Sequence, residues 1–163
     1  IQPLIGQYKL GEYKDDVIMN LNMIAAKLYK NKRVFVIPFF SYPRYGGPRE
    51  AALHAIVRKN YGCSHFWVGR DHAGYKKFYK KYESQHFCKQ IQKKLKIKIV
   101  GEKEFYYCSK NSVIVNECNC KHNCKINISG TQVRKKVILN KDIPQIYMSE
   151  LISKYLKKNS LIN

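Results

Sequence analysis

The sequence predicts an α/β fold: a parallel sheet with crossover helices, followed by a small cysteine-containing C-terminal subdomain. Three observations carry this prediction. Short apolar runs alternate with amphipathic stretches between residues 15 and 100. Glycine-bearing loops follow the first two apolar runs, where an open α/β sheet places its ligands. Past residue 105 the alternation stops, and four of the six cysteines follow in quick succession.

The first helix is predicted over 15–30, DDVIMNLNMIAAKLYK, with Val17, Leu21, Ile24 and Leu28 on one face. Asp15 and Asp16 suit the positive end of its dipole. VFVIPFF at 34–40 is a continuous apolar run, as expected of a strand buried on both faces. SYPRYGGPRE then turns the chain, and Gly47-Pro48 sets up a helix start. That helix is expected to reach Asn60 with Ala52, Leu53, Ile56 and Val57 facing inward. His65 to Val68 reads as a second strand ending at Gly69, and Ile97 to Val100 as a third. Between them Glu83 to Leu95 carries Phe87, Ile91 and Leu95 at helical spacing.

Phe105 to Cys124 reads as irregular, and Ile126-Asn127-Ile128 as a short strand. Ser129 or Thr131 can cap the helix of SGTQVRKKV, which Pro144 ends. A final amphipathic helix is expected at 148–158 with Leu151, Ile152, Tyr155 and Leu156. The organisation expected is therefore 1–104 as sheet-bearing domain and 105–163 as the cysteine-containing subdomain.

A chain of 163 residues suffices for one domain with a core, or for a piece of a larger one. It opens on Ile1 with neither a signal nor a transit pattern, which reads as an internal start in a longer chain. No apolar run approaches the ~18 residues of a membrane span. A soluble protein of the cytoplasm or a plastid stroma is expected, with no membrane partner. Basic residues outnumber acidic ones 31 to 11, for a net charge of +20. Twenty-five of the 31 are lysines, accompanied by much Asn, Ile and Tyr, the mixture of an AT-rich coding genome. KKFYKKY at 76–82 and KKLKIK at 93–98 read as solvated faces, with no nucleic-acid-binding signature beside them. Nucleic acid is not expected as the main partner; a small anion fits better, and the alternative is a non-catalytic basic α/β module that binds nucleotide or nucleic acid.

Arg44, Arg49 and Arg70 offer planar forks suited to phosphate or sulfate. Gly46, Gly47, Gly69 and Gly74 let backbone N–H groups approach a ligand. His72 can donate to a phosphate oxygen, while Asp71 can position His72 or Arg70 or help hold magnesium. Ser129, Thr131 and Arg134 in ISGTQVR form a third candidate phosphate contact at a helix start. His54 reads as a hydrogen-bonded structural residue. Cys63 and Cys88 read as buried thiols. Cys108, Cys118, Cys120 and Cys124, within 17 residues and without an export signal, point to metal before disulfides.

RYGGPREAALHAIVRKNYGCSHFWVGRDHAG resembles the central block of the ATP sulfurylases (sulfate adenylyltransferases). NISGTQVRKKV, DIPQIYMSELISKYL and the leading IQPLIGQYKLGEYKDD extend the resemblance over nearly the whole chain. It implies a Rossmann-like nucleotidyltransferase domain that joins sulfate to the α-phosphate of ATP, giving adenylyl sulfate and pyrophosphate, with Mg2+ accompanying ATP. It further implies nucleotide contacts from Gly69, Arg70, Asp71, His72 and Phe105, and a sulfate contact from the backbone of Ala73. A homo-oligomer is compatible with it. Bacterial and archaeal members often hold structural zinc. The family's spacing would use Cys108 and Cys120, Cys124 in place of a histidine, and Cys118 or His122 in place of Asn111. The alternative is a relic of that site, with reduced cysteines in a loop. The chain departs from the family at Tyr75-Lys76, where Pro-Gly is usual. The family's Q-x-R-N and H-x-G-H motifs, which lie upstream of this region, are absent from the chain, as is the PUA-like domain. Half an active site is therefore expected here, with no turnover from the chain alone.

Overall fold

The structure, a computed structural model, describes residues 1–6, 13–29, 33–101, 103–120 and 123–159. Its elements in chain order are β1 (Leu4–Ile5), α1 (Asp15–Leu28), β2 (Phe39–Phe40), α2 (Pro48–Asn60), β3 (His65–Trp67) and α3 (Glu83–Leu95). There follow β4 (Lys98–Val100), β5 (Tyr106–Cys108), β6 (Val113–Val115), β7 (Lys125–Asn127), α4 (Gly130–Ile138) and α5 (Glu150–Lys158). The α/β class holds, with parallel pairs, crossover helices and a distinct cysteine cluster towards the C-terminus. The chain forms two compact units: residues 44–105 with 115–119, and residues 1–43 with 106–114 and 120–163.

The unit that begins at Arg44 is built from strand, crossover helix and parallel strand. β3 runs parallel to β4 with Phe66 opposite Ile99, and α3 connects them. The pairing extends one residue further, where Val68 N–H donates to Val100 O at 2.8 Å. Ala51, Ala55, Phe66, Val68, Cys88, Leu95, Ile97 and Ile99 make the core, with Phe87 and Ile91 packed against it. At the carboxyl end of β3, Gln85 of α3 donates to Val68 O at 3.2 Å. A Cβ at Gly101 would lie 2.0 Å from Gln85 Nε2, so only glycine lets that side chain reach the strand end.

α2 corrects the sequence expectation. Its buried residues are Glu50, Ala51, His54 and Ala55, while Leu53 and Ile56 are exposed. The helix is turned so that its small residues meet the core and its two polar ones face the loops that satisfy them. Cys88 is buried as expected, but Cys63 is exposed. It sits in the turn after α2, where its N–H caps Arg58 O at 3.0 Å, and not in the strand.

In the other unit, β1 and β2 pair in parallel, and Val17, Val133, Ile143 and Leu156 form the core. The expected strand over 34–40 is regular only at Phe39–Phe40. N–H groups of Ile37, Phe39 and Ser41 bond to Ile1, Pro3 and Ile5 along one edge. Pro38 has no N–H to offer the other edge. Phe35, Ile37 and Phe40 are exposed, so burial on both faces does not hold among the described residues. β5 pairs antiparallel with β7 in a three-stranded sheet of order β6-β5-β7, which gives order to a segment expected to be irregular. Ser129 caps α4, its hydroxyl accepting from Gln132 N–H at 3.5 Å, and Ser149 caps α5 in the same way. Among the described residues, no helix is long and apolar enough to cross a membrane.

Candidate functional site: the Gly69–Gly74 loop

The loop leaves the carboxyl end of β3, the position at which open α/β sheets hold ligands. It turns tightly: Gly74 N–H donates to Asp71 O at 3.0 Å, and Ala73 takes a left-handed φ of 55°. Three neighbours fix its backbone. Gly47 N–H donates to Ala73 O at 2.9 Å, Tyr82 N–H to Arg70 O at 2.9 Å, and Ser84 Oγ to His72 O at 2.9 Å.

The side chains are fixed from α2. Glu50 is only 5 % exposed. Its Oε1 accepts from Arg44 N–H at 3.0 Å and its Oε2 from Gly46 N–H at 2.7 Å. One helical turn on, His54 Nε2 stands 3.7 Å from Glu50 Oε1, and His54 Nδ1 lies 3.0 Å from His72 Nε2. The ring of His72 also meets Phe66 edge-on at 5.5 Å. A carboxylate, two imidazoles and two loops are thus joined in one chain of contacts.

Burial, then the nearby Arg58 guanidinium and His72, push the pKa of His54 down to about 4. Burial and Arg58 lower His72 as well. Both rings are neutral at pH 7. The carboxylate favours a proton on His54 Nε2, which leaves His54 Nδ1 to accept from His72 Nε2–H. In that arrangement His72 Nδ1 carries a lone pair. The direct donation to phosphate expected from the sequence therefore requires Nδ1 of this ring to be protonated, by uptake of a proton or by a tautomer shift of both rings.

Arg70 is held as well. Its Nε donates to Asp71 Oδ2 at 2.6 Å and its Nη1 to the carboxylate of Glu104. Glu104 N–H in turn donates to the Tyr82 hydroxyl at 3.0 Å, and Phe105 follows, half exposed. Gly69, Arg70, Asp71, His72, Ala73 and Phe105 all lie in one unit. Of Asp71's readings from sequence, the structure displays the pairing with Arg70. Ser129, Thr131 and Arg134 lie in the other unit, where Ser129 acts as an N-cap and Arg134 reaches Thr131 Oγ1 at 3.5 Å. Sequence reasoning missed Glu50 and Glu104. The first stands in the quoted GGPRE, where a glutamate three residues behind a glycine turn signals a carboxylate for the turn's amides.

The cysteine cluster is equally specific. The sulfurs of Cys108, Cys118, Cys120 and Cys124 lie within 4.8 Å of one another, and those of Cys108 and Cys120 are 3.6 Å apart. Cys108 and Cys124 are buried. The backbone N–H of Asn111 lowers the pKa of the Cys108 thiol, while the Asn111 side chain lies 3.7 Å from the sulfur of Cys120. Asn111 therefore supports the sulfurs and supplies none. His122 lies outside the described residues.

Fold and loop together define an α/β protein with a glycine-bearing loop at the carboxyl end of a parallel strand. The ATP-sulfurylase family profile matches residues 1–159, and the chain belongs to that family. It is 40% identical over 151 residues to a sulfate adenylyltransferase of Pyrococcus abyssi, covering 91% of this chain and 40% of that protein. It is 43% identical over 152 residues to one of Staphylothermus marinus, covering 91% and 39%. For one of Carboxydothermus hydrogenoformans the identity is 36% over 162 residues, covering 97% and 42%. The chain spans about two fifths of the length of these curated relatives. Among solved structures, a hexameric APS kinase from Thiobacillus denitrificans shares the fold, with a TM-score of 0.70 at 14% identity. That likeness covers 96% of this chain and 29% of the other.

Since the unfolded chain takes up a proton near pH 6.5 that folded His54 refuses until about pH 4, stability falls as pH drops through that window. The loss expected is about 3 kcal/mol. Urea midpoints recorded across the window should decline for the parent chain and decline less for His54→Asn; parallel profiles would contradict a buried neutral His54.

Proposed function

We propose that the chain supplies the nucleotide- and sulfate-holding part of a sulfate adenylyltransferase. The observation that carries this reading is the Gly69–Gly74 loop, fixed on three sides at the carboxyl end of β3 in a chain of this family. In the proposed reaction a sulfate oxygen attacks the α-phosphorus of ATP. The new S–O–P linkage forms as the α–β phosphoanhydride bond breaks, and pyrophosphate leaves with its electron pair.

Sulfate is already an anion and needs no general base; its obstacle is approach to another polyanion. The protein's work is positioning and fixed electrostatics. Arg70 offers phosphate oxygens a fork that Asp71 and Glu104 already hold in place, so binding exchanges one anionic partner for another. The backbone around Gly69 and Ala73 presents N–H groups to nucleotide and sulfate, and Phe105 lies beside the adenine. His72, tied at Nε2, meets a phosphate oxygen through Nδ1 and takes up a proton as it does so. A Mg2+ ion bound with ATP would spread the charge of its phosphates, and a carboxylate of this chain would help hold it. Asp71, exposed and next to Arg70, is the carboxylate suited to it. No nucleophilic serine or cysteine is called for.

For zinc the fit is close. Four thiolates at about 2.3 Å from one ion are about 3.8 Å apart, and these sulfurs lie within 4.8 Å of one another. Bound there, zinc would cross-link β5 to the strand-poor segment ahead of β7 and contribute to folding.

Titration with adenylyl sulfate should show binding with uptake of a proton, detected as a dependence of the calorimetric heat on buffer. Arg70→Ala should weaken it about tenfold or more, while adenylyl sulfate formation from ATP and sulfate stays absent without the Q-x-R-N and H-x-G-H motifs. Failure to bind, or turnover by this chain alone, would overturn the reading. Elemental analysis should find one zinc per chain, lost with unfolding on chelation; under half an equivalent would leave the cysteines as a relic.

A further inference from the structure

The lysine run that reads as a solvated face in sequence is interleaved with aromatic residues, and the structure gives those residues a use. Arg44, Tyr45, Tyr75, Phe78 and Tyr79 line an open cleft of about 360 Å³ in a single compact unit. Phe78 is 79% exposed, a large cost for a phenyl ring that serves only packing. The rings are arranged and not merely present. Phe78 and Tyr79 meet edge-on at 4.9 Å, and Tyr45 meets Tyr75 at 6.1 Å.

The backbone is constrained to hold them. Tyr45 and Lys76 both adopt left-handed φ angles, 53° and 49°, which side-chain-bearing residues rarely take. At Gly47 a Cβ would come within 2.5 Å of the Tyr79 ring, so the glycine of the first loop makes room for one wall of the cleft.

The one charged side chain in the lining is the cation Arg44. Among the described residues no carboxylate pairs with the Arg44 side chain. Lys76 stands 5.3 Å from the centre of the Tyr75 ring, and Lys77, Lys80 and Lys81 are exposed on the same short segment. Aromatic rings for bases, with Arg44 in the lining and lysines on the segment that carries three of the rings, match the chemistry of a single strand of nucleic acid.

We propose that this cleft binds single-stranded nucleic acid, its bases stacking on Tyr75 and Phe78 and its phosphates meeting Arg44 and the lysines. This site includes Tyr75, and it is independent of the sulfate reading.

The test is anisotropy of a fluorescein-labelled oligothymidylate about twelve residues long, titrated with the 163-residue chain. Binding should weaken about 50-fold between roughly 50 and 200 mM salt, as for release from about four phosphate contacts. Phe78→Ala and Tyr75→Ala should each weaken it about 5- to 100-fold. Phe78 is too exposed for its loss to unfold the chain, which circular dichroism verifies. Unchanged affinity in both variants would overturn the proposal, leaving only unspecific attraction to lysine. So would full displacement by adenylyl sulfate, which places the strand on the Gly69–Gly74 loop, or by AMP at equal nucleotide concentration, which makes the cleft a mononucleotide pocket.

Discussion

A carboxylate stripped of water must be given donors or it destabilises the fold by several kcal/mol. Glu50 is that carboxylate, and the arrangement around it follows from its needs. Two amide N–H groups, from Arg44 and Gly46, curl the first loop over the start of α2 to reach it. Its remaining charge faces His54, which is neutral and oriented, and His54 in turn fixes His72. The same curl brings Gly47 to the carbonyl of Ala73. One buried side chain thereby aligns two loops that are 20 and more residues apart in sequence.

The same constraint explains which parts of the fold sequence reasoning reached. Parallel strands, crossover helices and the approximate bounds of α2 and α3 follow from local patterns of apolar residues, and these were legible. The rotation of α2 was not. Periodicity assigns the inward face to Leu53 and Ile56, because a helix's apolar side is assumed to be its buried side. Here Glu50 and His54 are buried instead, and only the amides of a loop, invisible to periodicity, make that tolerable. The strand at 34–40 failed for a related reason. An apolar run announces affinity for a sheet but not how many edges are paired. In the loop itself, the glycines and Arg70 could be named from sequence, whereas Glu104, the partner that holds Arg70, could not, being 34 residues away.

The charge of the molecule is also sorted more finely than its composition suggests. In the Gly69–Gly74 loop, positive charge is matched by Asp71 and Glu104, so the guanidinium is held ready and little net attraction is left to random anions. At the aromatic cleft, Arg44 and Lys76 have no carboxylate partner for their side chains among the described residues. Paired charge favours selective exchange for a ligand of fixed shape, and unpaired charge favours long, adaptable polyanions. The cysteine cluster adds a third chemistry, in which four sulfurs converge near the β5–β7 pair in an arrangement able to hold a metal ion.

The chain from Glu50 through His54 to His72 is the central claim, and the protonation of the two rings reports on it directly. Long-range 1H–15N correlation spectra of the imidazoles at pH 7 should show both rings neutral, each protonated at Nε2 with a bare Nδ1. On Glu50→Gln the His54 pattern should lose its preference, and the His72 resonances should broaden or shift. A charged imidazole at pH 7, or a proton on Nδ1 of His72, would contradict the account.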